Sequence, residues 1–342
     1  MKTKPFRQRQ HQIHYLHREA WAMFAFLLIA SLMIFWLPVS GWAKDWPAKP
    51  INLIVPWATG GSTDIAARII APKLSKILEV PVQVINKAGG SGIIGTLEAI
   101  KAPPDGYTLL MDCNGTSSIQ FAWADNLPYK PEERTYVARA MYTPEGVAVP
   151  ASSPWKTVED LMNTIRTNPS TVRWSTIGGT GLPDALTGQL RAAFTAKGLD
   201  LSKTRVVSYK GSGEVVIAIA GGHVDIAFFS PSVASSLLSA GKLRILAVAG
   251  DQRYKGWPNV PSTAELGMPS VNLVWWGGVC APPGLPAGIS KTISDAVRDT
   301  VRDPEVIAHL DKLGFVPGYQ TEAVFKKFVM DESKDIKSLK LK

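Results

Sequence analysis

Short apolar runs alternate with helical patterns of hydrophobic residues along most of this 342-residue chain. The first run, residues 51–55, is bounded by Pro56 and is typical of a buried strand, and a helical pattern follows from about 63 to 78. Such alternation predicts an α/β fold with mainly parallel sheets flanked by helices. Further strands are predicted at 81–85, 107–111, 146–150, 171–175, 205–209, 223–229, 243–249 and 271–279. Between 121 and the strand at 146–150 the pattern is irregular and punctuated by proline.

One arrangement occurs twice: an apolar strand, a turn of glycine and hydroxyl residues, and the start of a helix. It spans residues 51–68, with its turn at 59–63, and again residues 171–194, with its turn at 177–181. Such a turn presents free backbone N–H groups and the positive end of a helix dipole to an anion, phosphate or carboxylate. The alternative is an ordinary strand-to-helix connection with a Ser or Thr cap. Two copies in two halves of the chain suggest a cleft with a helix N-terminus on each side.

The first 43 residues have the pattern of a secretory signal peptide. A basic lead precedes an uncharged run of 17 residues, 21–37, and Gly41-Trp42-Ala43 offers the small residues of a cleavage site. An uncleaved membrane anchor is the alternative, because this run is at the lower edge of a spanning length. Removing five basic residues and one acidic residue lowers the formal net charge from +9 to +5. That surplus suits attraction of small anions and is too dilute to indicate nucleic-acid binding.

Few side chains outside the leader are suited to catalysis or to metal binding. Only His223 and His309 remain there, together with two cysteines, so the usual zinc ligand sets and Ser-His or Cys-His nucleophilic sites lack material. The composition therefore argues against a hydrolase, and we expect no enzyme activity, no metal and no cofactor. Cys113 and Cys280 each end an apolar run, and they are either paired by a disulfide or two buried free thiols.

Several residues allow two interpretations. Residues 90–95 match the dinucleotide-binding pattern G-x-G-x-x-G, with Asp112 near the end of the next strand, but residues 86–89 intervene where that pattern needs an immediate turn. Asp64 either stabilises the helix dipole or contacts ligand. Asp225, within an apolar strand, is either a hydrogen-bond anchor or a ligand group. Of Trp275 and Trp276, only one can face a cleft if both lie on a strand.

An ordered set of short segments resembles the substrate-binding proteins of tripartite tricarboxylate transporters, the Bug family. Examples are Pro56-Trp57 followed by Gly60-Gly61-Ser62-Thr63-Asp64, and Pro104-Asp105-Gly106-Tyr107. The matching segments, in chain order, are 46–50, 56–64, 89–95, 104–110, 209–212, 222–225, 240–244 and 261–267.

The resemblance implies a two-domain periplasmic-binding-protein fold of the type II, flytrap kind, which closes on a small organic acid. The expected divisions are a signal peptide at 1–43, a discontinuous first domain of 44–148 and 251–342, and a second domain of 149–250. It also implies that backbone amides and hydroxyls of two loops hold a carboxylate. The ligand-binding residues carried over are Trp57, Thr59, Gly60, Gly61, Ser62, Thr63, Asp64, Asn114, Thr116, Ser117, Gly178, Gly179, Thr180, Gly181, Asp225 and Ser230.

The implied role is a periplasmic receptor that delivers its ligand to the membrane subunits of a transporter. We expect a monomer that closes by a hinge near 147–150 and 247–251. Because neither loop contains Arg or Lys, binding should depend only modestly on salt. A ligand-loaded sensor partner of a membrane receptor is the alternative, and an exported enzyme on the same scaffold is the third interpretation.

Overall fold

The computed structural model describes residues 46–338, so the predicted signal peptide lies outside the described residues. The strands are β1 (Ile51–Val55), β2 (Val82–Asn86), β3 (Thr108–Cys113), β4 (Thr135–Thr143), β5 (Gly146–Pro150), β6 (Arg173–Thr176), β7 (Arg205–Ser208), β8 (Ala227–Phe229), β9 (Leu243–Val248), β10 (Trp275–Ala281) and β11 (Val316–Thr321). The α-helices are α1 (Ser62–Leu78), α2 (Ile93–Ile100), α3 (Ser118–Trp123), α4 (Val158–Thr167), α5 (Leu182–Ala196), α6 (Ser212–Ala220), α7 (Pro231–Ser239), α8 (Ala287–Arg302), α9 (Pro304–Lys312) and α10 (Glu322–Ser338). Within 46–338, no helix combines the length and apolar character needed to cross a bilayer.

One six-stranded sheet is built from both ends of the described chain. Its order is β11-β4-β10-β3-β1-β2. β1 is parallel to both β2 and β3, whereas β10 is antiparallel to β3 and β4, and β11 is antiparallel to β4. Most residues of β1, β3 and β10 are fully buried, because helices cover both faces of the sheet.

The middle of the chain forms two smaller sheets. β5 lies between β8 and β9 and is antiparallel to both, while β6 and β7 form a parallel pair. A single bridge between Trp174 and Ile226 connects the strand β6 to the segment that leads into β8. These strands belong to residues 146–248, so the chain leaves the first sheet after β4 and returns to it with β10.

The predicted α/β fold is confirmed, but the expectation of mainly parallel sheets is wrong in detail, because the sheets are mixed. The antiparallel pairs come from strands that enter a sheet without a helical crossover of their own, such as β10 between β3 and β4. The strands β4 and β11 were not predicted. In β4, buried residues lie on both faces around the half-buried Arg139, so the strand shows no period-two alternation.

The two cysteines are buried free thiols, and the alternative of a disulfide is wrong. Cys113 pairs with Gly277 across β3 and β10, whereas Cys280 pairs with Leu110. Side chains three residues out of register on neighbouring strands point to opposite faces of the sheet. Accordingly, Cys280 donates to Asp112 (Sγ to Oδ2, 3.4 Å), while Cys113 accepts from the indole of Trp57 (3.2 Å) on the other face.

A buried carboxyl connects the C-terminal helix α10 to the sheet. Glu332 accepts hydrogen bonds from the indole Nε1 of Trp276 (2.7 Å) and from the hydroxyl of Ser118, at the start of α3. The Trp276 ring also packs edge-on against Phe325 of α10, with 5.2 Å between the ring centroids. Burial raises the pKa of Glu332 to about 7, although the two hydrogen-bond donors lower it.

The pKa of Glu332 is higher in the folded protein than its usual value of 4.5. The contribution of Glu332 to the free energy of unfolding is therefore full below pH 4.5 and is lost as the pH rises through about 7. The unaltered protein should lose about 2 kcal/mol of unfolding free energy between pH 5 and pH 8 through this carboxyl. We expect Glu332→Gln, which keeps an acceptor oxygen but cannot ionise, to lack that part of the loss. Urea unfolding at both pH values measures this. Glu305→Gln, at an exposed position, is the control, and equal pH dependence in all three proteins would contradict the assignment.

Candidate ligand-binding site

The first loop of the site connects β1 to α1 and is held by Asp64 at the third position of the helix. One carboxylate oxygen of Asp64 accepts from the backbone N–H of Gly60 (2.9 Å). The other oxygen accepts from Arg68 Nε and from Asn86 Nδ2, both at 2.9 Å. Gly60 has φ +85°, a conformation that favours glycine. Asp64 therefore fixes the turn from behind, and its own oxygens are occupied.

The second loop connects β6 to α5 and is built in the same way around Asp184. Its Oδ2 accepts from the N–H groups of Gly179 (2.9 Å) and Gly181 (2.8 Å), and its Oδ1 accepts from that of Ile177 (2.7 Å) and from the hydroxyl of Thr176. Burial raises the pKa of Asp184, and these donors lower it. The pattern Gly-x-x-Asp, with glycine as the N-cap, is thus common to both loops.

A third carboxylate, Asp112, organises the turn that follows β3. It accepts from the hydroxyls of Thr116 (2.7 Å) and Ser117 (2.6 Å), and from the N–H of Cys113 (2.9 Å). Arg134 donates to it at 2.7 Å, and both side chains are fully buried. Removing one partner of such a pair would leave a buried charge uncompensated. The turn at 114–117 therefore rests on a buried ion pair.

These loops meet the N-terminus of α6 around a small, partly open cavity of about 30 Å³, which has room for only one or two water molecules. Three helix N-termini, at Gly61, Gly181 and Gly211, contribute to its wall. The remaining lining residues are Trp57, Ala58, Ser62, Thr63, Cys113, Asn114, Gly115, Glu145, Ile177, Leu182, Pro183, Ser212 and Trp275. No Arg or Lys is among these described residues, so the positive potential of the cavity comes from backbone dipoles.

Direct contacts connect the loops of the two halves around the cavity. Ser91 Oγ donates to the carbonyl of Gly178 (2.8 Å), and the hydroxyls of Ser62 and Ser230 lie 2.9 Å apart. Glycine permits the closest approach, since a Cβ at Gly213 would lie 2.5 Å from the carbonyl oxygen of Thr59. In this structure, the loops on the two sides of the cavity are therefore in direct contact.

Two acceptor atoms in the cavity wall are buried without a hydrogen-bond partner among the described residues. One is Oε2 of Glu145, which is 2% exposed, and the other is Oδ1 of Asn114, which is 0% exposed. Nδ2 of Asn114 donates to the carbonyl of Val274 (2.9 Å), which orients the amide so that Oδ1 is left free. Burial raises the pKa of Glu145 to about 8, so its carboxyl is largely neutral at pH 7. Burial also raises the pKa of the Cys113 thiol.

The predicted site residues fall into three groups. Trp57, Gly61, Ser62, Thr63, Asn114 and Gly181 line the cavity. Others support or join its walls: Thr59, Gly60 and Asp64 in the first loop, Thr116 and Ser117 on Asp112, Gly178, Gly179 and Thr180 in the second loop, and Ser230 on Ser62. Asp225 lies elsewhere, in an ion pair with Arg173 of β6 at 2.7 Å. That pair corresponds to the anchor among the two roles considered for Asp225.

The glycines of the G-x-G-x-x-G segment serve close packing in this structure. A Cβ at Gly92 would lie 2.4 Å from Cγ2 of Thr116, and a Cβ at Gly95 would lie 2.6 Å from the carbonyl oxygen of Lys87. Asp112, the acid that the dinucleotide interpretation requires, is buried against Arg134. Gly92 therefore lets the turn that carries Ser91 pack against the turn at 114–117, and Gly95 lets the start of α2 pack against the segment that follows β2.

Several important residues were not among the predicted ones. Asp184 could have been found from the Gly-x-x-Asp spacing at 181–184, which repeats that at 61–64. Gly211 and Glu214 continue the pattern at α6, where Glu214 accepts from the N–H of Lys210 at 3.0 Å. Glu145 carries no local signal, because its burial results from contacts between distant segments. Trp275 lines the cavity while Trp276 lies in the core, as the strand geometry requires.

A larger groove of about 820 Å³ lies on the other side of the second loop, along α5. It is lined by residues such as Trp123, Asp184 and Arg191 and is open to solvent. Arg191 is already engaged, since it donates to Thr204 (2.8 Å) and lies over the Trp174 ring. The small cavity, with converging helix N-termini and unpartnered acceptors, is the better candidate for a specific site.

An α/β fold with mixed sheets and helix N-termini that converge on a small cavity is typical of a solute-binding protein, and the fold is that of the periplasmic binding proteins. The chain belongs to the tripartite tricarboxylate transporter family of receptors, whose family model matches residues 66–341. The family predicted from the sequence is thereby confirmed.

A curated relative and two solved structures illustrate the similarity. BugT of Bordetella pertussis is 32% identical over 249 residues, which cover 72% of this chain and 74% of BugT. MatC (Rpa3494) of Rhodopseudomonas palustris with bound malate is 25% identical, with a TM-score of 0.80, over 86% of this chain and 99% of that chain. R. palustris Rpa4515 with adipate is 27% identical, with a TM-score of 0.81, over 86% and 97%.

Asp184→Asn tests the role of the internal carboxylates. An amide presents N–H groups where Asp184 now accepts from backbone donors, so some of those donors lose their partner. We expect the free energy of unfolding to fall by about 1–3 kcal/mol. Urea unfolding measures it, with Asp125→Asn at an exposed position as the control. A variant as stable as the control would show that Asp184 does not hold the loop.

Proposed function

We propose that this protein captures a small organic acid between two domains and presents it to a membrane transporter. The observation that carries the proposal is the convergence of three helix N-termini on one cavity whose lining contains no basic side chain. Backbone N–H groups in the first turn of a helix have no partner within that helix, and the helix dipole favours negative charge there. A ligand carboxylate is the group that such a cavity fits.

The separate sheets support the proposed division of the chain into two domains. The first domain is 44–148 with 251–342 and the second is 149–250, as the family resemblance implies. The sheet pairings favour a slightly earlier crossing, at 144–145, because β5 already pairs with β8 and β9 from Gly146. There, the carbonyl of Glu145 accepts from the N–H of Ala249 (2.8 Å), so the two crossing segments run side by side. Adjacent crossing segments are suited to act as a hinge.

Opening of this hinge is part of the proposed mechanism. The cavity of about 30 Å³ is too small to admit an organic acid while the loops are in contact. Contacts such as those between Ser91 and Gly178, and between Ser62 and Ser230, are individually weak and fully reversible. A ligand that binds both sides would stabilise the closed form over the open form.

Family membership supports the wider role. The bound malate and adipate of the two solved relatives are both dicarboxylates, which supports an acid as the ligand. The proposed location is the periplasm, the proposed partners are the membrane subunits of a tripartite transporter, and the proposed state is a monomer that acts by binding, without catalysis.

A thermal-shift screen of the mature protein tests the proposal. The panel contains mono-, di- and tricarboxylates, aromatic acids and amino acids, each at millimolar concentration. A bound acid raises the melting temperature by mass action, by several degrees where the ligand is at about 100 times its Kd. No shift with any acid, or turnover of an acid, would overturn the proposal.

Ser212→Pro tests whether backbone N–H groups hold the ligand. Ser212 is the first residue of α6 and lines the cavity, and proline at this position keeps a helix while removing one N–H. The extended conformation of Gly211 (φ 175°, ψ 169°) suits a residue before proline. We expect about a 10- to 100-fold weaker Kd for the acid found in the screen, measured by calorimetry.

Ser212→Ala is the matched control, because it removes the hydroxyl and keeps the N–H. Its Kd should stay close to that of the unaltered protein. If Ser212→Ala weakens binding as much as Ser212→Pro does, the ligand contacts the hydroxyl, and the assignment to the backbone is wrong.

A further inference from the structure

Two unpartnered acceptors share the wall of the cavity with the three helix N-termini. Oε2 of Glu145 and Oδ1 of Asn114 are both buried and have no hydrogen-bond partner in the part of the chain that the structure describes. A buried acceptor without a donor costs free energy, so native proteins rarely leave one without a purpose. Two in one cavity call for a group that donates several hydrogen bonds.

The residues that carry the two acceptors are themselves held in place. The amide of Asn114 is held by the carbonyl of Val274, and the backbone of Glu145 is held by Ala249 in the second crossing segment. The cavity wall supplies no Lys or Arg that could pair with Glu145. A cationic partner for Glu145 would therefore come from outside this described lining.

We propose that the ligand is an acid that also carries a protonated nitrogen, with its carboxylate at the helix N-termini and its ammonium group between Glu145 and Asn114. This inference rests on the proposed function, since it names the class of acid for the same site. An ammonium group offers three donors and one positive charge, which match two acceptors of which one is a carboxyl. The indole rings of Trp57 and Trp275 in the same wall also favour a cation.

The charge balance of the cavity agrees with such a ligand. A dicarboxylate would bring two negative charges into a cavity without a basic side chain, whereas a zwitterion brings none in net. Ionised Glu145 would then pair with the ammonium group, and hydrogen-bonded ion pairs are favoured in a cavity that excludes water. Burial raises the pKa of Glu145 to about 8, which is only slightly above pH 7. A neighbouring ammonium group would lower this pKa and so favour the ionised carboxyl at pH 7.

Other titratable groups around Glu145 are few. Cys113 is the only other titratable residue of the described lining, and its raised pKa keeps it neutral. The acids at the starts of α1, α5 and α6, which are Asp64, Asp184 and Glu214, all accept hydrogen bonds from the backbone of their own loops. The crossing residue Ala249 and the strand residue Trp275 bring no charge. A pH dependence of binding between pH 6 and pH 8 would therefore report on Glu145.

The experiment compares acids that differ only in one substituent at C2. The three series are propionate, lactate and alanine; succinate, malate and aspartate; and glutarate, 2-hydroxyglutarate and glutamate. We expect the amino member of the best-binding series to bind at least about tenfold more tightly than the unsubstituted member. Its Kd should also tighten about tenfold or more from pH 6 to pH 8, since Glu145 must lose a proton, while that of the unsubstituted acid should not.

Glu145→Gln provides the matched variant, because it keeps the size and an acceptor oxygen but cannot ionise. It should lose most of the preference for the amino member, and with it the pH dependence of that preference. Unchanged melting temperature and circular dichroism verify its fold. A proton released on binding at pH 7, measured by calorimetry in two buffers of different ionisation enthalpy, gives a readout that does not need the variant.

The outcomes separate the two proposals. If no acid in these series or in the wider screen binds, the proposed function itself fails. If acids bind but the amino member is not preferred, or if Glu145→Gln keeps the preference, only the present inference is overturned, and Glu145 and Asn114 face bound water instead.

Discussion

The site depends on carboxylates that hold its loops from the side away from the cavity. The backbone of the loops forms the side that faces the cavity. Asp64 and Asp184 each accept the N–H groups of the residues that precede their helix, and Asp112 accepts the hydroxyls and N–H of the turn after β3. These acids fix the peptide groups of each loop in one orientation. The first turns of these helices line the cavity, and helix N-termini favour a negatively charged group. Carboxylates thus hold the loops of a site that is suited to anions, because each carboxylate accepts hydrogen bonds from its own loop.

This construction explains why glycine is so frequent where the two halves meet. Loops held from behind cannot move aside, so only residues without a side chain allow the backbones to come into contact. Gly213 lies against the carbonyl of Thr59, and Gly178 lies against Ser91, where a Cβ would come within 2.4 Å of the hydroxyl oxygen. A larger residue at either position would hold the halves apart. Rigid loops and small contact residues together let a modest movement at the crossing segments close the cavity fully.

The parts of this structure that follow from local pattern could be predicted from the sequence, and the parts that follow from distant contacts could not. The β1-to-α1 loop was predicted because strand, glycine turn and helix are adjacent in the chain. β4 was missed because burial on both of its faces removes the alternation that marks a strand. The disulfide was wrongly considered because apolar runs do not reveal on which face of a sheet a cysteine lies. Glu145 was missed because its burial arises where segments about a hundred residues apart, at 145 and 249, meet.

Glu145 also links binding chemistry to the hinge, because its backbone lies in one crossing segment and bonds to the other. Without ligand, burial in the closed form keeps this carboxyl largely protonated at pH 7, because it raises the pKa to about 8. A bound ammonium group would stabilise the ionised carboxyl, so the proton is released as the ligand binds. A ligand that supplies this donor thereby favours the closed form. The same carboxyl would then act on both selectivity and the equilibrium between open and closed forms.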